Sequence, residues 1–309
     1  MLRRWRRFVR EQRQLERSVE LLAANVANLT AAVARREASR SNHTGTAPTS
    51  TVCTQAQCEG PEYERWCAAL GQPVRYQRKQ WELVYICRAL EARGMLAPGK
   101  RGLGFGVGQE PLAALFASRG CTIVATDLAL DEAAERGWTS SGYQHARSLE
   151  QLNADGLCPA DVFAERVTFR TADMNAIPRD LEGFDFCWSA CAFEHLGSLD
   201  QGMRFVRRSL DCLRPGGVAV HTTEYNLSSN DSTVSRGGTV LYRRRDLEDL
   251  VAQIRAQGDD PMDFDAQGGE GLVDGYVDVP PYHVDCHLRL EIEGYTCTSA
   301  GVIAIRGER

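Results

Sequence analysis

The stretch RGLGFGVGQEPLAALFASRGCTIVATDL, Arg101 to Leu128, constrains the fold more than any other part of the chain. It begins with a short strand pattern, Arg101–Phe105, and places glycines at 102, 104, 106 and 108. Pro111–Ser118 follows with helical composition, its Pro in the first turn where a missing N–H costs little. Thr122–Thr126 is a second strand pattern, closed by Asp127. Strand, glycine loop, helix and strand in this order predict a parallel βαβ unit, because parallel strands need a crossover of about this length. Ligands of such sheets bind beyond the carboxyl ends of the strands. Glycines there let a ligand approach the backbone and meet the N–H groups of the next helix.

The same alternation continues along the chain. Strands are expected at Arg166–Arg170, Phe184–Ser189, Val218–Thr222 and Thr298–Ile305, and helices at Leu199–Leu213 and Asp246–Gln257. Pro215-Gly216-Gly217 stops the first of these helices. The whole reads as an α/β protein with a mainly parallel sheet covered on both faces. Two helical patterns precede it, Pro61–Leu70 and Val74–Arg93. The second carries an apolar stripe at Leu83, Ile86, Cys87 and Leu90 and ends at Gly94.

At the N-terminus, Trp5, Phe8, Gln12, Leu15, Val19, Leu22, Val26, Leu29 and Val33 are spaced 3,4,3,4 throughout. A 3.5-residue period with Val at three a positions and Leu at three d positions favours a parallel two-stranded coiled coil, hence a homodimer. Gln12 is the one polar seam residue. The plainer alternative is a single amphipathic helix docked on its own domain. Seven Arg and two Glu fall in residues 1–17. They form a solvated basic face or, alternatively, a peripheral contact with an anionic membrane. Residues 39–60, rich in Ser, Thr and Gly, read as a flexible linker. The expected divisions are thus 1–38 (coiled-coil helix), 39–60 (linker) and 61–309 (the α/β domain that carries the glycine loop).

Charge excludes one class of partner. Residues 1–40 hold ten Arg and four Glu, a balance of +6, whereas the whole chain is −5, so residues 41–309 carry −11. An acidic body argues against general nucleic-acid binding. The eleven Cys form no CxxC pair and no zinc-knuckle spacing, which suggests reduced thiols and a cytoplasmic protein. No apolar run reaches 18 residues, and a secretory signal is not expected.

The glycine loop narrows the ligand. A dinucleotide fingerprint needs Gly two and then three residues on. Here the spacing is a strict GxGxGxG, and Gln109 stands three after Gly106. Asp127, 19 residues after Gly108, can accept hydrogen bonds from both ribose hydroxyls of a nucleoside. Its alternative is to cap the following helix. Asp173, after RVTFRTA, can accept from an adenine amino group with Met174 against the ring; its alternative is a turn Asp.

GLGFGVG, VATDL, TADMNAIP, FDFCWSACAFEHL and SLDCLRPGGVAVHTTEYN, in this order, resemble the class I S-adenosylmethionine-dependent methyltransferases over about residues 98–226, and more loosely to 306. The resemblance implies a Rossmann-like seven-stranded, mainly parallel sheet with an antiparallel last strand. By the same resemblance the cofactor is S-adenosyl-L-methionine. Gly104, Gly106 and Gly108 would flank its methionine part, Asp127 its ribose, and Asp173 and Met174 its adenine. Trp188–Ala190, with Ser189, would line the other side. The family usually has an acid two positions before the first Gly of GxGxG, where this chain has Gly102. Glu110, or Lys79 to Glu82, are the candidates to replace it.

Methyl transfer to a hydroxyl requires alignment of the acceptor and removal of its proton. His195 in FEHLGS, just past the fourth strand, is the candidate general base, though Glu-His here is common in the family without that role. Glu224 in HTTEYN, with Tyr225 and Asn226, is placed just past the fifth strand as a contact to the acceptor; His221 is placed inside that strand. Tyr282, His283 and Asp285 lie in a Pro-containing loop able to cover the acceptor. Glu194, Glu224 and His283 have no diagnostic metal spacing, so no metal is expected. The polar insertion 226–247, with Arg243–Arg245, borders the site. Sequences of this appearance resemble methyltransferases of bacterial polysaccharide modification, which implies a sugar or glycan hydroxyl as acceptor. The rivals are an NAD-dependent oxidoreductase, which the missing GxGxxG and Tyr-x-x-x-Lys disfavour, and an inactive cofactor-binding scaffold that recruits a partner through its coiled coil.

Overall fold

The computed structural model describes residues 2–38, 47–129 and 149–308. Helix α1, Leu2–Ala38, is followed by β1 (Ser50–Val52), α2 (Pro61–Ala69) and α3 (Arg78–Glu91). Then come β2 (Arg101–Phe105), α4 (Leu112–Ser118), β3 (Thr122–Asp127), α5 (Ala160–Arg166), β4 (Val167–Thr171) and β5 (Phe184–Ala190). The rest is α6 (Leu199–Ser209), β6 (Leu213–Asn226), α7 (Arg244–Ala256), the short β7 (Asp260–Pro261), β8 (Phe264–Asp265) and β9 (Val277–Asp278), β10 (Arg289–Ile292) and β11 (Tyr295–Ile305).

The strands form one sheet in the order β4-β3-β2-β5-β6-β11-β1-β8. β2 to β6 pair in parallel, and β11 runs antiparallel to β6 over nine register pairs, Ile305↔Val218 to Cys297↔Asn226. The mainly parallel sheet with a reversed last strand is therefore present. The expected count of seven is not: the described sheet has eleven strands. The difference lies beyond β6, where β1 pairs with β11 at Thr51↔Gly301 and short strands fill the edge. Ser50, Val52, Cys53 and Cys58 are buried. Residues 50–60 thus belong to the fold rather than to a linker, because Ser50 to Val52 pair with β11 on one side and β8 on the other and are buried despite their polar composition. Residues 39–46, the rest of that expected linker, lie outside the described residues.

Side chains alternate across the sheet. Ile123, Ala125, Phe186, Trp188, Val218 and Val220 pack under α2, α3 and α4. Leu103, Phe105, Cys187, Ala219 and Val302 pack under α6 and α7. All eleven Cys are buried free thiols. No helix among the described residues is long and apolar enough to cross a membrane.

Chain order reverses between β2 and β5: β3 and β4 extend to one side, β6 and β11 to the other. A crevice opens at such a switch point beyond the strand ends. Two differences from the sequence expectation reshape it. β6 continues to Asn226, so Glu224 sits inside a strand opposite Ser299 and not in a loop. α3 starts at Arg78, where Gln77 accepts a hydrogen bond from the Gln80 N–H at 2.7 Å. That start aims Arg78 and Lys79 at the crevice.

On the opposite face, the Ser209 hydroxyl donates to the Val206 carbonyl and so accepts from His221 Nε2. His221 Nδ1 then accepts from Ser189 Oγ at 2.8 Å. Burial pushes the His221 imidazole down to about 3. The unfolded chain takes up this proton near pH 6.5 and the folded chain does not. Stability from this group is full above pH 6.5 and falls as pH drops toward 3, by up to about 1.4 kcal/mol per pH unit. Urea unfolding at pH 7 and pH 4.5 should show His221→Gln less stable at pH 7 but with a smaller loss on acidification. Equal losses in both proteins would sink this account.

Candidate active site

A cavity of about 970 Å³ fills the crevice. At one end are Gly106, Gly108, Asp127, Asp173 and Met174; at the other, Arg78, Lys79, Cys191, Glu194, His195, Glu224 and Tyr282.

Gly106 and Gly108 adopt φ of +56° and +51°, which side chains disfavour. A Cβ on Gly106 would also stand 3.0 Å from Ala192 Cβ and 3.2 Å from Met174 Sδ. Backbone is therefore laid bare along the cavity wall. The Gly108 N–H donates to Asp127 Oδ2 at 3.1 Å, and the Leu128 N–H donates to Asp127 Oδ1 at 2.8 Å. Asp127 also borders the cavity, and a carboxylate is an acceptor for hydroxyl donors. The helix that Asp127 was alternatively expected to cap would fall in 130–148, outside the described residues. Asp173 accepts from the Asn175 N–H at 2.8 Å, so the turn role is realised, and it still borders the cavity beside buried Met174.

Two of the expected contacts move away. Gly104 is not on the cavity wall; a Cβ there would meet Val107 Cγ1 at 2.5 Å and Trp188 Cζ2 at 2.6 Å, so it is a packing glycine. Ser189 points to the α6–α7 face and bonds His221, and the strand's alternation brings Ala190 to the cavity instead. Trp188 is wholly buried under the sheet.

Gly102 has a structural reason. A Cβ there would lie 2.3 Å from Phe186 Cζ and 2.9 Å from Ile123 Cδ1. The acid that relatives by resemblance carry at this point cannot fit. Gly102→Asp should cost more than about 3 kcal/mol, since overpacking and a buried charge add, and should not tighten cofactor binding. A urea midpoint equal to wild type would overturn this. Of the replacements considered, Glu110 borders the cavity with Oε2 buried and without a hydrogen-bond partner among the described residues. Burial, opposed by Lys79 and aided by the Glu82, Asp127 and Glu194 charges, pushes its carboxyl up to about 8. Glu82, by contrast, is used internally, by Arg78, Lys79 and Ser299.

At the other end, Arg78 pairs with Glu224 at 2.5 Å and Glu82 at 3.2 Å, and donates to Cys191 Sγ at 3.4 Å. Burial raises the Glu224 carboxyl; Arg78 pulls it down, Glu194 and Glu82 raise it, and the net shift is upward. Glu194 is fully buried, and its Oε2 accepts from Thr223 Oγ1 at 3.1 Å. Glu194 Oε1 and Glu224 Oε2 have no hydrogen-bond partner among the described residues. Such buried acceptors await donors. His195 Nδ1 lies 2.8 Å from the Gly238 carbonyl, which only accepts, so in the neutral ring Nδ1 carries the proton and Nε2 the lone pair. Nε2 lies 4.0 Å from Glu194 Oε1.

Cys191 Sγ, Glu194 and Glu224 place ligand-type atoms within 4.8 Å of one another. The Arg78 guanidinium touches two of the three, pairing with Glu224 and donating to Cys191. Tyr282 reaches the cavity as expected, while His283 turns to Asp278 at 2.8 Å and Asp285 accepts from the Tyr76 N–H at 3.0 Å. Of the insertion, Gly238 and Thr239 border the cavity. Arg243 is instead used by Asp246 and Arg244 by Glu248. Tyr225 packs in the core on the other face, and Asn226 holds the insertion by accepting from the Ser228 and Ser229 N–H groups. Arg78, Cys191 and the segment Gln151–Asp155 also line the site. Nothing in the sequence singled them out, because only the tertiary fold brings them there.

Residues 103–221 match the family model described as a methyltransferase domain. No curated protein shows significant similarity. Among solved structures, the chain is similar to a protein assigned as a sarcosine dimethylglycine methyltransferase from Galdieria sulphuraria, with 16% identity over 74% of this chain and 85% of that one and a TM-score of 0.45. It is similar to phosphoethanolamine N-methyltransferase 2 of Haemonchus contortus, with 22% identity over 55% of this chain and 35% of that one and a TM-score of 0.37. It is also similar to magnesium protoporphyrin IX methyltransferase of Synechocystis PCC 6803, with 12% identity over 79% and 91% and a TM-score of 0.43.

Proposed function

We propose that the chain, whose residues 103–221 match a methyltransferase-domain model, is a cytoplasmic S-adenosylmethionine-dependent O-methyltransferase acting on a hydroxyl of a sugar or glycan. The observation that carries the reading is one cavity with two chemically distinct ends. The first end suits a nucleoside. Gly106 and Gly108 bare the backbone, Asp127 takes the ribose hydroxyls, and Asp173 with Met174 takes the adenine. Glu110 takes the amino end: an ammonium beside its buried carboxyl restores the charged form that burial disfavours. When bound, S-adenosylmethionine supplies an electrophilic methyl group.

The second end suits a neutral polyol. Glu194 Oε1 and Glu224 Oε2 are buried acceptors facing neighbouring hydroxyl donors. Arg78 and Lys79 line the same end, so donors and acceptors alternate there, which suits the several hydroxyls of a sugar. His195, oriented through Nδ1 by Gly238, takes the hydroxyl proton on Nε2. Glu224 and Glu194 hold the acceptor in line and Tyr282 closes over it. Thermal shifts with S-adenosylhomocysteine, S-adenosylmethionine and NAD test the cofactor, because a specific ligand raises apparent stability. Stabilisation by the first two alone is expected; stabilisation by NAD alone would replace this reading with the oxidoreductase.

A further inference from the structure

Among its described side chains, helix α1 has two apolar faces, and one of them is covered. Ala27, Ala31 and Ala34 are buried against the core of the domain. Arg35 pairs with Asp285 and lies over the Tyr76 ring at 5.7 Å. This small-residue face docks the helix. The large residues point elsewhere: Leu15, Val19, Leu22, Val26 and Leu29 are 51–66% exposed and Val33 is 37% exposed. At 100° per residue the two faces lie roughly 130° apart around the helix. A helix that buries alanines and exposes its leucines and valines is incomplete as a monomer. The side chains of Trp5 and Phe8, which begin the same stripe, are outside those described.

We propose that a second copy of this chain covers the stripe as a parallel, in-register, two-stranded coiled coil. The exposed residues keep a 3,4 spacing with Val at a and Leu at d, the combination that selects two parallel strands. They offer on the order of 600 Å² per helix, so a pair buries about 1,200 Å², the lower bound for a stable interface. The flanking e and g positions from Ala23 to Ala32, which include Asn25 and Thr30, are small and uncharged, so no charge repulsion opposes close approach. From Leu15 to Glu37, where the exposed stripe lies, three Arg balance three Glu, so the stripe itself sits in a stretch of no net charge. The docked face remains on the domain in the dimer, so the Arg35–Asp285 contact ties the coiled coil to the loop that presents Tyr282.

Sedimentation of the full chain at micromolar concentration should give twice 34.2 kDa, and Leu22→Glu/Leu29→Glu should give the single mass with an unchanged near-UV spectrum. The Val26→Cys chain, whose native cysteines are all buried, should form a covalent dimer on mild oxidation, since equal a positions meet only in a parallel, in-register pair. A monomeric wild type overturns the proposal, including one that pellets with vesicles of phosphatidylserine. So does a double variant that remains dimeric, or a Val26→Cys dimer that does not cross-link.

Discussion

Asp127→Ala should weaken S-adenosylhomocysteine binding by roughly 10- to 150-fold, the equivalent of the 1.5–3 kcal/mol that hydrogen bonds to a charged group contribute. The carboxylate has two tasks in the structure. It fixes the glycine loop by accepting from the Gly108 and Leu128 N–H groups, and it faces the cavity where ribose hydroxyls would donate. Asp127→Asn separates them. An amide oxygen can still accept from one backbone N–H, but the negative charge is gone, so an intermediate loss is expected. Isothermal titration of the three proteins measures this. Affinity unchanged in Asp127→Ala would remove the ribose role.

His195→Ala should lower kcat by about 10²- to 10⁴-fold, the usual contribution of a general base, while S-adenosylhomocysteine affinity stays near wild type. The ring is oriented by the Gly238 carbonyl so that Nε2 carries the lone pair. Without it, the hydroxyl proton has no imidazole nitrogen to accept it at that place. Glu224→Gln should behave differently. Its Oε2 awaits a donor from the acceptor, so the main loss falls on KM, with a smaller effect on kcat. Steady-state kinetics on the identified acceptor would decide. A large kcat loss in Glu224→Gln with little in His195→Ala would exchange the two roles, and small effects in both would place the chemistry elsewhere in the cavity.

The part of the site nearest the sequence signal was the easiest to read. Gly106, Gly108, Asp127, Asp173 and Met174 border one cavity because each follows directly from the end of a parallel strand, and strand ends are legible from apolar runs. Errors arose where alternation decides the outcome. Ser189 and Ala190 are adjacent in sequence but face opposite layers, and the run FDFCWSA is buried on both sides, so its pattern does not reveal which residue faces the site. Glu-Tyr-Asn suggests a loop, yet pairing with β11 keeps the backbone extended to Asn226, so Glu224 borders the cavity from within a strand. Arg78 was hidden inside an amphipathic helix, since nothing local says that its first turn enters the cavity. The N-terminal stripe was visible as a period, but which face would meet the domain was not; only the packing of Ala27, Ala31 and Ala34 resolves it.

The most direct test of the central claim is transfer of a labelled methyl group from S-adenosylmethionine to a panel of sugars, glycans and small amines by the full chain. The two-ended cavity predicts label in an alkali-stable ether on a sugar hydroxyl, with His195→Ala giving at most about 1% of the wild-type rate. Label on amines alone, or no transfer to any sugar by a chain that binds S-adenosylhomocysteine, would contradict it.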